Sequence, residues 1–248
     1  MNYICNIKKC KTDLKDYTYI SSNINYPKEL DYRKDLQPIR DQGNQGSCYA
    51  QSVACVKEWQ EKKDINFNEY FSPQFFYNNR SNLYDNNKNN DYGMNSRDVM
   101  KLMKNIGICR ESIYPYGFIQ DKKNISKNVY KDAQNHIIKG YARINTINEC
   151  KKNIFINGPC LITFPVFNYS KQFWIKKNNE KSLGGHAVVI VGYNNEGFII
   201  RNSWGTKWSD NGYGLYQYKN WNKHWEIWTT IDHISLYNKK INNCCIII

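Results

Sequence analysis

Cys48 sits in RDQGNQGSCYAQSVA, residues 40–54, between a polar glycine-bearing loop and what reads as the first turn of a helix. Loop glycines let a backbone come close to another group. A helix N-terminus stabilises negative charge, including a thiolate, the attacking form of cysteine. A thiol placed there is either a nucleophile or a small apolar core residue. The first reading needs a base, and a third group that holds the base in one tautomer. The chain has four histidines. His136 lies in an amphipathic polar stretch, and His224 and His233 in a polar region near the end. Only His186, in LGGHAVVIVGY, opens an apolar strand behind two glycines. Asn202, in RNSWGTKW, follows sixteen residues later at the end of the next expected strand. A hairpin would set these two positions side by side, and an asparagine oxygen accepts an imidazole N–H without adding charge.

Helices come first in the chain and strands later. The run CYAQSVACVKEWQEKK puts Ala50, Val53, Ala54 and Val56 near helical spacing, with Cys55 as a core residue and charges toward its end. Ser72 and Pro73 read as the cap and first position of a second helix. Val99, Leu102, Met103 and Ile106 follow the i, i+3, i+4, i+7 pattern of a third, stopped by Gly107. CLITFPVF, HAVVIVGYNN, GFIIRNSW and GYGLYQY then read as strands bounded by Gly and Asn. The fold class is α+β, a helical lobe against a twisted antiparallel sheet, and a cleft between two such lobes suits a substrate.

The 248 residues suffice for one large domain or two lobes. The net charge of +13 comes from scattered lysines in a chain rich in Asn, Lys and Ile, which argues against a specific nucleic-acid surface. Nine cysteines with no CxxC spacing indicate neither a zinc ribbon nor a disulfide framework. No metal or organic cofactor is expected. The start, MNYICNIKKCKTDLKDY, lacks the apolar core of a signal peptide. The expected compartment is therefore intracellular and reducing, host cytoplasm or virion for a viral source, with the sequons at Asn124 and Asn168 idle.

Gln42, Cys48, His186 and Asn202 stand in the order and spacing of papain-like cysteine proteases, with His186 138 residues after Cys48. QGSCYA, NGPCLITFPV, GGHAVVIVGY and NSWGTKWSDNGYG all resemble that family. YGMNSRDVMKLMKNIGICRESIYPY resembles its left-lobe helix, closest to the short bacterial-type branch. The resemblance covers residues 27–237 and implies a two-lobe fold with the active-site cleft between a helical left lobe and a β-sheet right lobe. It implies hydrolysis of polypeptides through a thioester. Cys48 would be the nucleophile, His186 the base and acid, and Asn202 its orienter. Gln42 would donate to the oxyanion, and Trp204 would cover the His–Asn bond. Gly93, Met94, Gly185 and Ala187 would line the substrate site. Acyl transfer to an amine, and a non-catalytic peptide binder, are the rival functions.

The chain also departs from the family. Gln45 stands where a cysteine is usual, and Asp91 near where its disulfide partner would be. Tyr49 replaces a common tryptophan, and Met94 replaces the second of two glycines, which puts the P2 preference in doubt. There is no His-His occluding loop. Residues 1–26 are too short for the usual inhibitory prodomain and read as a polar arm, a tail, a docking element or a latch. Its Cys5 and Cys10 could inhibit by meeting Cys48. The end, residues 238–248, closes on CCIII, a C-a-a-X pattern in which Cys245 would carry a prenyl group and Cys244 a second lipid, giving peripheral membrane association.

Overall fold

The computed structural model describes residues 3–11, 13–21, 23–80, 91–117 and 119–232. Cys244, Cys245 and His233, and the expected domain end at 237, lie outside the described residues.

Helix α1 (Cys48–Ile65) is the axle of the molecule. Every residue from Cys48 to Glu61 on it is buried, including the charged Lys57, Glu58 and Glu61. Burying charge is costly unless it is paired, and each charge here has a partner. Lys57 meets Glu61 at 2.8 Å and also Asp232. Glu58 takes Arg40 at 2.7 Å, and Glu61 also bonds His136 Nδ1 at 3.0 Å. His136 is thus a core residue, its ring tilted against those of Phe67 and Phe71, not part of a polar stretch. The helix ends at Asn66, whose left-handed φ of 56° suits asparagine better than a β-branched residue.

The other left-lobe helices follow their caps. In α2 (Pro73–Asn78) the Ser72 hydroxyl accepts from Phe75 N at 3.0 Å. In α3 (Ser96–Asn105) the Asn95 side chain accepts from Asp98 N at 3.0 Å, and Val99 and Met103 face the core. Helices α4 (Lys127–Ala133) and α5 (Ile147–Asn157) are not among the helices expected from sequence.

The right lobe is one antiparallel sheet of seven strands among the described residues. They are β1 (Leu30–Asp31), β2 (Gly140–Ile144), β3 (Cys160–Val166), β4 (Gly184–Tyr193), β5 (Gly197–Arg201), β6 (Tyr213–Gln217) and β7 (Glu226–Ile231). The order is β2-β7-β3-β4-β5-β6, with β1 added to β4. Strand β4 is covered on both faces, which explains its unbroken apolar run. Ala187, Val189 and Val191 pack in the cluster around α1, while Val188 and Ile190 join the cluster behind the sheet. The polar tail read around His224 is instead part of this lobe: His224 Nδ1 bonds the Tyr216 hydroxyl at 2.8 Å, and β7 is an interior strand.

Candidate active site

The interface between α1 and β4 gathers the chemistry. Cys48 is the first residue of α1, and His186 is the third of β4, opposite Phe164 of β3. Asn202 follows β5, held by its N–H to Gly212 O at 3.0 Å. His186 Nε2 meets Asn202 Oδ1 at 2.7 Å. The same Oδ1 accepts the backbone N–H of Ser203 at 2.8 Å. A backbone N–H can only donate, so that atom is the amide oxygen and Nε2 must carry the ring proton. Nδ1, which has no partner among the described residues, is left as the basic nitrogen. Trp204 stacks on the imidazole, centroids 4.4 Å apart, and is itself 1% exposed. A ring pair of this kind contributes about 0.5–1.5 kcal/mol beyond burial and keeps water from the His–Asn bond.

Gln42 is tied on three sides. Its N–H donates to Ser203 O at 2.9 Å, its Oε1 accepts the Ser203 hydroxyl at 2.7 Å, and its Nε2 donates to Gln45 O at 2.9 Å. An amide nitrogen has two hydrogens, so one remains for another acceptor.

In this structure the dyad is discharged. Burial pushes the Cys48 thiol up to about 12, with the Asp91 charge adding to the rise and the backbone N–H groups of Ala187 and Tyr49, which favour the thiolate, working against it. Burial lowers His186 to about 4, against the Asn202 bond. Both side chains are fully covered.

The cover is the N-terminal arm. Tyr3 stacks on Trp204 at 5.1 Å. Cys5 O accepts Gly185 N–H at 3.1 Å, and Asn6 pairs in parallel with Gly185, next to His186. The Asn6 side chain lies over Gly46 and Gly93 so closely that a Cβ at Gly46 would come within 2.7 Å of it. Ile7 is buried in the cluster that contains Cys48 and Met94. Farther on, Asp16 joins Arg97 of α3 at 2.8 Å and Arg143 of β2 at 2.7 Å, and Tyr19 N–H reaches Arg143 O at 2.7 Å. Of the readings open to the arm, tail, docking element or latch, its contacts therefore fit a strap across the cleft and not a loose appendage.

The arm sorts its two thiols. Cys5 is 5% exposed and close enough for the Cys48 charge to act on it, with burial the larger cause of a thiol pushed up to about 12. Cys10 lies away from the dyad, its Sγ donating to Asn95 Oδ1 at 3.6 Å. The substrate-site residues divide too. Ala187 and Gly185 flank His186 in the cleft, one against the Cys48 sulfur and the other under the arm. The N–H of Gly93 is already bonded to the Tyr77 hydroxyl at 3.1 Å, so pairing with a substrate strand through that group requires the Tyr77 bond to break. Met94 is 4% exposed and packs inward with Ile7, as well as lining a groove of about 290 Å³ beside α3.

Comparison with known proteins gives the family and the fold. The model of the papain family of cysteine proteases matches residues 26–232. The chain belongs to the papain family of cysteine proteases. Xylellain, a cysteine protease from Xylella fastidiosa, superposes with a TM-score of 0.80 at 25% identity, over 93% of this chain and 96% of that one. A peptidase C1-like protein of Acanthamoeba polyphaga mimivirus is 29% identical over 81% of this chain and 73% of its own length. Mouse cathepsin K is 32% identical over 76% of this chain but only 59% of its own length, so the protease spans less than two thirds of that relative.

In this papain-like cysteine endopeptidase the loop before the nucleophile is held without a disulfide. Gln45 Nε2 donates to Gln74 Oε1 at 3.1 Å, and Asp91 accepts Gly46 N–H at 2.7 Å and the Tyr77 hydroxyl. A charge-assisted bond thus does the tethering. Sequence reading found Asp91 only as a missing cysteine; nothing in its spacing announces this role. Among the described residues no helix is long and apolar enough to cross a membrane.

Proposed function

We propose that this protease hydrolyses peptide bonds through Cys48, His186 and Asn202, and that residues 3–26 hold it latent by filling the cleft. The observation that carries the reading is the His186 tautomer: Asn202 and Ser203 leave Nδ1 as the basic nitrogen, beside the helix that presents Cys48. Once the arm is displaced, Nδ1 takes the thiol proton and the sulfur adds to the scissile carbonyl. The oxyanion is met by the Cys48 N–H and the spare N–H of Gln42. The C–N bond then breaks as His186 returns the proton to the leaving amine, giving a thioester. Water, deprotonated by His186, releases the acid product and the thiol.

Occupancy is a sufficient restraint, and it is favoured over a Cys5–Cys48 disulfide. Both thiols are held protonated here, and thiol–disulfide chemistry runs through the thiolate. The test is hydrolysis of an unstructured protein by the parent chain, by Cys48→Ala and by a variant with a weakened arm, with hydroxylamine added in a parallel reaction. Cleavage that needs Cys48 and rises in the arm variant is expected. Equal cleavage by Cys48→Ala would end the mechanism, and hydroxamate as the dominant product without free acid in its absence would favour acyl transfer.

A further inference from the structure

A small cavity of about 10 Å³ borders Asn202. Cys55 and Val189 give it apolar walls, and Arg40, Gln51 and Ser52 give it polar ones. Gln51 lies in the first turn of α1, three residues after Cys48. Three polar atoms of these lining residues are buried without a partner among the described residues: Asn202 Nδ2, Gln51 Oε1 and Arg40 Nε. Gln51 and Asn202 are each 3% exposed. Both amides are oriented from their other ends. Asn202 turns its oxygen to His186 and to the Ser203 N–H, so its nitrogen is the unpaired end. The Tyr116 hydroxyl gives its one hydrogen to Gln42 O at 2.8 Å and also bonds the Gln51 amide. The Gln51 group at that bond must then be the N–H donor, which leaves its oxygen as the unpaired end.

We propose that this cavity is the site of one structural water that locks the Asn202 amide, and that Gln51 is the positioning residue that retains it. The inference rests on the peptidase reading above, whose base it holds in place. The volume sits at the lower bound for one water, roughly 10–15 Å³. The chemistry fits atom by atom. Asn202 Nδ2 and Arg40 Nε can only donate, and they fill the two lone pairs of a water. Gln51 Oε1 can only accept, and it takes one O–H. The other O–H can go to Ser52 Oγ, whose own hydrogen is given to Cys48 O at 2.9 Å. A buried water needs two to four such partners. A halide would meet the two donors but would also face the Gln51 oxygen, so a neutral water suits the site better. The consequence falls on the base. An Asn202 amide turned end for end would present N–H to His186 Nε2, and the ring proton would move to Nδ1, the atom that must take the Cys48 proton. The water opposes that rotation. Through Tyr116, Gln51 also ties Asn202 to the loop that carries Gln42.

Two measurements on the full-length chain carrying Cys48→Ala test this without turnover. The first is a crystal structure at a resolution that orders solvent. One water is expected within hydrogen-bond reach of Asn202 Nδ2, Gln51 Oε1 and Arg40 Nε. A dry cavity, or density too heavy for water, would overturn the proposal. The second is the His186 tautomer, read near neutral pH from the ring nitrogen shifts by NMR. Gln51→Leu removes the acceptor, whereas Gln51→Glu keeps an oxygen toward the cavity and gives up the donor to Tyr116. The Cys48→Ala chain should show Nε2 protonated, the added Gln51→Leu a mixture of tautomers, and the added Gln51→Glu the first pattern again. An unchanged tautomer in Gln51→Leu, or a mixture in both variants, would leave Gln51 a packing role only. With Cys48 intact, Gln51→Leu should lower kcat about 10-fold, the low end for loss of a group that orients another, with KM little changed. Should Gln51→Leu fail to fold, the crystal structure and the Gln51→Glu spectrum still decide. Failure here leaves Cys48-dependent hydrolysis standing, and failure of the Cys48→Ala hydrolysis test leaves both of these measurements unaffected.

Discussion

His186 has one nitrogen to give to chemistry, and two hydrogen bonds to Asn202 Oδ1 decide which. Removing the orienter and removing the base should therefore cost different amounts. Asn202→Ala leaves an imidazole still stacked on Trp204 and free to choose its tautomer; turnover should fall about 10- to 100-fold, as for loss of a group that only orients another. His186→Ala removes the proton carrier, and the loss should lie toward the upper part of the about 10²–10⁴ range for general acid–base catalysis. Steady-state kinetics on both variants, with near-UV circular dichroism to verify folding, would decide; equal losses would contradict the division of roles. Asp91 is the second residue with a checkable duty. Asp91→Ala breaks the bonds to Gly46 and Tyr77 and should destabilise the protein by about 1–3 kcal/mol, as for a buried donor left unpaired, read from the urea midpoint.

Among the elements, the arm is the one held most visibly by charge. Asp16 faces Arg97 on α3 and Arg143 on β2, and Arg143 also reaches Glu226 on β7 at 2.9 Å, with Tyr17 and Tyr141 nearby. The Arg97 hydrogen bond, and after it Arg143, hold the Asp16 carboxyl below its ordinary value in spite of desolvation. The sign follows: Asp16 stabilises the docked arm above the usual carboxylate range, and this is lost as pH falls through its lowered value. Asp16→Asn should mimic that loss at neutral pH, raising the rate of protein hydrolysis and of proteolytic nicking within residues 3–26, while an unchanged rate and nicking pattern would show that the arm is held without it. How much of this was readable from sequence differs by element. Caps and apolar spacing mark α1, α2, α3, β3 and β4, and the β4–β5 pair brings His186 to Asn202 as a hairpin should. Strand β7 escaped because EIWTTI mixes polar residues into a run whose both faces are covered, so no alternation survives. A latch was one of the readings of the arm, but the contacts that dock it were not legible, because its composition is polar and its buried apolar residues, Cys5, Ile7 and Tyr19, are isolated in that background. The buried charges of α1 escaped because their partners, Arg40, His136 and Asp232, come from distant parts of the chain.

For the molecule as a whole, two lobes meet across α1 and β4, and the strap that closes their cleft also neutralises the dyad. Burial lowers both His186 and His224 to about 4. Each binds fewer protons in the folded chain than in the unfolded one between about 6.5 and about 4, so the closed protein should lose stability as pH falls through that window. Thermal midpoints recorded from pH 7 to pH 4 should decline, with Asp16-linked arm release following only at lower pH, and a flat profile would mean that neither histidine is buried in the neutral form. The central claim, that Cys48 is the nucleophile activated by His186 once the arm opens, is tested most directly by covalent labelling. The Asp16→Asn chain is treated with a peptidyl epoxide directed at thiol proteases, and the modified peptide is identified by mass spectrometry. The account predicts one adduct, on Cys48, forming faster than in the parent chain and much more slowly in His186→Ala. Adducts spread over several of the nine cysteines, or labelling of Cys48 at the same rate without His186, would contradict it.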